Sequence, residues 1–190
     1  MAGVGPMIRQ VTASLRKQVG VTMVELVIVM AIIGLLAAIA VPNIMEFIKT
    51  SRVSAQTDAL VNTFALARLK AISDRKVITV CASDDPDAND NCSAGTDWSR
   101  GWVVKDGAVA ISRFKANANS VQISFTDPAK AFLSVDFSKS LGSAALTGGG
   151  AIEANFKFCG KGLEHKEQYV SLAPSGRAVK SVSANVTCPK

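Results

Sequence analysis

The chain has 190 residues, 48% hydrophobic, 19% charged and 6% aromatic, with a formal net charge of +6. This is too apolar for a disordered tail, and the length suits one domain with an appendage. A single histidine, His165, excludes a His-rich metal site and argues against a His-based triad; with no Walker A, HExxH, GxSxG or dinucleotide motif, the composition points away from an enzyme and calls for no cofactor.

Residues 1–20 are polar and basic, with Arg9, Arg16 and Lys17 and no acid. Val21 to Val41 follows, apolar except for Thr22 and Glu25. As a helix it would span about 31 Å, the thickness of a bilayer's hydrocarbon core. The cationic flank places the N-terminus in the cytoplasm and everything after Pro42 outside. A secretory signal peptide ending at Ala37, Ala38 or Ala40 and an ordinary signal anchor are the alternatives. Neither accounts for Glu25, since a carboxylate in a membrane helix costs a few kcal/mol without a partner.

Beyond Pro42 the pattern turns amphipathic. Val53, Leu60, Phe64, Ala67 and Ala71 recur at helical spacing, as do Val61, Ala65 and Ile72. One helix is therefore expected from Val21 to Arg75, with a kink or local melt where Gly34 and Pro42 disturb it. The divisions are 1–20 as a leader, 21–42 as a transmembrane helix, 43–76 as its amphipathic continuation and 77–190 as a globular β-rich domain.

From Val77 the period becomes two. Strands are expected at Val77–Cys81, Trp102–Lys105, Val109–Phe114, Val121–Phe125, Phe132–Phe137, Ile152–Phe158, Gln168–Leu172 and Val179–Val186. Asp106-Gly107 is a hairpin turn. Gly142 to Gly150 is read as a flexible surface loop, and its triple glycine leads into a strand rather than a helix, so it is no phosphate cradle. The fold class is α+β, a long N-terminal helix packed on an antiparallel sheet.

Four cysteines outside any CxxC spacing suggest two disulfides in an oxidising compartment rather than a metal site. Three pairings are open; the favoured one joins Cys81 to Cys92 across an aspartate-rich loop and Cys159 to Cys188 near the C-terminus. That loop follows D-x-D-x-N at Asp85, Asp87 and Asn89, yet Asp90 and Thr96 stand where a calcium loop needs glycine and glutamate. A solvated acidic loop is the expectation. Trp98 and Trp102, four apart, are placed on one face of a strand and in the core rather than as a stacking pair for a ligand.

The segment Gly20, Val21, Thr22, Met23, Val24, Glu25, Leu26 resembles the processing site of type IV prepilins. The resemblance implies that a prepilin peptidase cuts after Gly20, that Val21 becomes the methylated N-terminus, and that Glu25 is the fifth residue of the mature chain. Here valine stands where the family usually has phenylalanine, and Met7 offers a second start that shortens the leader. Asp97-Trp98-Ser99-Arg100-Gly101-Trp102 with the following hairpin, and Ala173-Pro174-Ser175-Gly176-Arg177, resemble segments of the FimT, FimU and GspH group of minor pilins and pseudopilins. The implied fold is that of type IV pilins, with the helix transmembrane and then amphipathic.

The implied function is assembly at or near a pilus tip, priming or bridging the filament. The implied partners are other minor and major pilins or pseudopilins, prepilin peptidase, an inner-membrane assembly platform, and the inner membrane before assembly. The chain would be single-pass, its globular domain periplasmic and then extracellular in the pilus. Two alternatives accompany this reading. One is a minor pseudopilin of a type II secretion system. The other is DNA uptake, since some FimT-type pilins bind DNA from the glycine-arginine turn onward. From Lys157 to Lys190 six basic residues face only Glu164 and Glu167. Arg177, Lys180 and Lys190 are the candidate phosphate contacts, enough only for weak, salt-sensitive binding.

Overall fold

The computed structural model describes residues 20–127, 129, 131–150, 152, 154–162 and 167–183. The leader before Gly20, His165, Cys188 and Lys190 lie outside the described residues. The chain divides into two compact units, one ending at Val41 and one starting at Pro42.

A single helix, α1 (Met23–Asp74), begins in the first unit. Its N-terminus is capped by Thr22, whose Oγ1 accepts the Glu25 N–H at 3.2 Å. Thr22 and Glu25 have capping-box spacing, and the acid lies in the first turn, where the helix dipole favours it. The helix is long and apolar enough to cross a membrane, and residues 20–41 are exposed throughout. Pro42 lies inside α1, so no melt occurs there. The C-terminus closes at Arg75, whose φ of +53° places it in the left-handed region. The Lys76 N–H then returns to the Ala71 carbonyl at 3.2 Å, a Schellman-type stop.

In the second unit, nine strands are formed among the described residues: β1 (Ile78–Ala82), β2 (Gly101–Asp106), β3 (Val109–Lys115), β4 (Val121–Phe125), β5 (Ser134–Phe137), β6 (Ala144–Leu146), β7 (Ala154–Gly160), β8 (Glu167–Leu172) and β9 (Ala178–Ser183). They build two sheets rather than one. The first has the order β3-β2-β1-β5-β6 and the second β4-β7-β8-β9. Every pairing is antiparallel. β6 falls inside the glycine-rich stretch expected to be a flexible loop, where it pairs with β5 through Val135↔Leu146 and Phe137↔Ala144.

The buried helix face, Val53, Leu60, Phe64, Ala67 and Ala71, belongs to one core shared with both sheets. Phe64 is the meeting point: its ring centroid lies 6.1 Å from that of Phe137 on β5 and 5.7 Å from that of Phe156 on β7. Each large side chain removed from water here stabilises by roughly 2–3 kcal/mol. Trp98 and Trp102 are both fully buried, but Trp98 precedes β2 instead of sharing a strand with Trp102. Trp98 packs edge-on against Phe156 and Phe132 and donates its Nε1–H to the Phe132 carbonyl at 3.2 Å. Trp102 stacks on Phe114 and donates to Thr63 Oγ1 of α1 at 2.9 Å.

Gly101 between them has φ +142°, and a Cβ there would sit 2.2 Å from the Phe114 carbonyl oxygen. The close approach of β3 therefore demands glycine. The bulge in this pair lies elsewhere, between Val104 and Lys105.

Candidate functional site

Gly20 and Val21 precede the helix and are exposed, and no atom of the described residues lies within 4 Å of a Cβ placed on Gly20. Glu25 then projects from the first turn of an exposed apolar helix that includes Leu26, Ile28, Ile32 and Leu35. Exposed aliphatic surface of this length has to be covered by lipid or by other helices.

The globular unit carries its polar features on the outer faces of the sheets. Cys81 and Val103, cross-strand neighbours, lie outside the core cluster and are nevertheless fully buried. The segment between β1 and β2 is fastened to this face. Cys92 is bonded to Cys81, Asp87 pairs with Lys115 at 2.6 Å, Asp90 pairs with Arg113, and Asp84 accepts from Ser93 Oγ at 2.8 Å. The acidic loop keeps its aspartates exposed or half-exposed while ion pairs hold it on β3. Asp87 beside Lys115 raises the ammonium's pKa above the usual lysine range, chiefly through their hydrogen bond. Among the described residues no three His, Cys, Asp or Glu side chains converge to hold a metal ion.

Cys159 is also disulfide-bonded; Cys188, the partner favoured from the sequence, lies outside the described residues. Near Cys159, sequence reading missed a buried charge network. Glu167 is fully buried and pairs with Lys157 at 2.7 Å, while the Tyr169 hydroxyl donates to the same carboxylate at 2.5 Å. Lys157 and Tyr169 are direct cross-strand partners, a relation visible only once β7 and β8 are in register. Burial, and then the bond to Glu167, pushes the Tyr169 hydroxyl up to about 12.

Of the candidate phosphate contacts, Arg177 and Lys180 lie among the described residues. Arg177 is exposed in the β8–β9 turn. Lys180 on β9 is committed to α1, donating to Asp58 Oδ1 at 2.7 Å and Ser54 Oγ at 2.9 Å. Lys190 lies outside the described residues.

The glycine-arginine turn has a structural reason. Gly176, at φ +76°, crosses Gly142, at φ +62°, so closely that a Cβ on Gly176 would lie 2.0 Å from the Gly142 carbonyl oxygen. Gly142 in turn presses on Arg68 and Ile72 of α1, and the Ala144 N–H donates to the Pro174 carbonyl at 2.9 Å. This crossing ties the two sheets together above the helix.

Residues 56–176 match the family of type II transport protein GspH, and residues 15–41 match the prokaryotic N-terminal methylation motif. No curated protein sequence matches the chain. Two crystal forms of the Pseudomonas aeruginosa PAO1 type IV minor pilin FimU are similar in fold. One is 18% identical with a TM-score of 0.55, covering 75% of this chain and 99% of that one. The other is 17% identical with a TM-score of 0.52, covering 72% and 99%.

Proposed function

We infer the function from one premise: the chain belongs to the GspH family of minor type IV pilins and pseudopilins, whose members are structural and not enzymatic. We propose that it is a minor pilin, cut after Gly20 by a prepilin peptidase, methylated at Val21, and built into a filament at or near its tip. The observation that carries the proposal is the apolar, exposed N-terminal half of α1 with one carboxylate, Glu25, in its first turn. Within a bundle of such helices a buried carboxylate needs a cation, and the Val21 amino group of a neighbouring subunit supplies one. Glu25 would then set the register between subunits.

The test is Glu25→Leu in the full chain. The variant is expected to reach the membrane and be cleaved at Gly20, yet to be absent from sheared filaments. Incorporation at the native level would refute the pairing. The second reading is a minor pseudopilin handling folded exoproteins in type II secretion. The family's description as a type II transport protein favours it. Which filament proteins copurify with the chain separates the two. DNA uptake is the weaker reading, because Lys180 is already engaged by Asp58 and Ser54.

A further inference from the structure

A groove of about 280 Å³ lies between the C-terminal half of α1 and the β8–β9 turn. Val61, Ala65, Leu69 and Ile72 form its helical wall, and Gly176 and Ala178 stand opposite. Leu69 is 64% exposed and Ile72 42%. Leu141, next to the Gly142 that presses on Ile72, is 74% exposed. Aliphatic surface left bare around a concavity is a mark of an interaction site.

Two guanidinium groups, Arg68 and Arg177, also line the groove, and no acid does. Among the described residues neither makes an ion pair or a side-chain hydrogen bond, and Arg68 Nε is buried without a hydrogen-bond partner there. A buried donor in this state is destabilising until an acceptor arrives. The Arg68 stem is fixed beneath the two turns: a Cβ on Gly142 would meet its Cγ at 2.6 Å, and one on Gly176 its Cδ at 3.4 Å. The groove is therefore formed before anything binds, which spares a ligand the entropy of ordering it.

We propose that this groove binds a protein partner through a segment that presents an aliphatic side chain beside a carboxylate. The side chain lies against Leu69 and Ile72, and the carboxylate is taken by Arg68 and Arg177. Nucleic acid fits the groove less well, because its walls are aliphatic and offer no aromatic ring for a base to stack on. The inference goes beyond the assembly reading and does not depend on it, since every residue involved lies in the unit from Pro42 onward.

The test places the photoreactive residue p-benzoylphenylalanine at Leu69 of the full chain in the cells that produce it. Adducts are compared in the otherwise native chain, in Arg177→Glu, in Arg68→Glu/Arg177→Glu and in Arg68→Lys/Arg177→Lys, and mapped by mass spectrometry. The expected result is a protein adduct at an aliphatic residue adjacent to Asp or Glu. It should fall about tenfold or more on charge reversal, persist in the lysine variant, and return when the mapped acid is changed to arginine. Arg177→Glu alone, on an exposed turn, keeps the test valid if the double variant misfolds. An adduct indifferent to charge reversal, a nuclease-sensitive adduct, a lipid adduct only, or no adduct would each overturn the proposal.

Discussion

Replacing Gly176 by alanine should be among the most damaging single-methyl additions in the protein. The residue sits at φ +76°, where an L side chain costs about 1–2 kcal/mol. The new Cβ would also stand 2.0 Å from the Gly142 carbonyl oxygen, so one turn has to move by more than an ångström. Neither turn is free to do so, since Gly142 N–H donates to Ser138 and Ala144 N–H to Pro174, each at 2.9 Å. Overpacking against fixed backbone adds about 1–3 kcal/mol, for a total of roughly 2–5 kcal/mol. Gly107→Ala is the matched control: φ is +60° and nothing lies within 4 Å, so only the backbone penalty of about 1–2 kcal/mol applies. Urea unfolding of the full chain in detergent, followed by the fluorescence of the buried Trp98 and Trp102, reads both. Equal shifts of the two midpoints would refute the steric explanation of the glycine-arginine turn.

Other outcomes follow from the same geometry. Cys81→Ser/Cys92→Ser opens a cross-link spanning 11 residues and should lower stability by about 3 kcal/mol, measured by urea titration under oxidising conditions. Lys157→Met strands the buried Glu167 carboxylate and should cost about 3–5 kcal/mol, whereas Lys157→Met/Glu167→Leu should recover most of it. Tyr169 is the chain's one tyrosine, so its ionisation can be followed directly by absorbance. Its midpoint should lie near 12 in the folded protein and at the ordinary value in urea. Because the folded value is the raised one, the associated stability is complete below the unfolded pKa and is lost as pH climbs through about 12. Glu167→Gln should lower the folded midpoint without restoring it fully, since burial is the larger cause.

Periodicity made the helix and most strands legible, because Leu60, Phe64, Ala67 and Ala71 repeat at one spacing and Ala154, Phe156 and Phe158 at another. It failed where the signal is weak or non-local. Ala144–Leu146 is short and flanked by glycines, and it becomes a strand only because β5 offers an edge for it. Trp98 and Trp102 share the core but not a strand, since the chain bends at Ser99 and Arg100 and the Gly101 N–H returns to the Trp98 carbonyl at 3.2 Å. The Lys180–Asp58 pair joins residues 122 apart in the chain, and the Lys157–Glu167–Tyr169 network needs a strand register that no motif announces. The arginine of the glycine-arginine turn reads as a phosphate contact in sequence, while its glycine proves to be required by sterics.

The interleaved strand order makes the globular unit indivisible. β1 pairs with β5, and β4, which lies between them in sequence, pairs with β7 in the other sheet. A break anywhere from 83 to 133 separates the first couple, and one from 126 to 153 separates the second. Every single cut across that span parts at least one of these two couples. Split-protein schemes would therefore have to look to the β7–β8 or β8–β9 connections, where only sequential neighbours are parted.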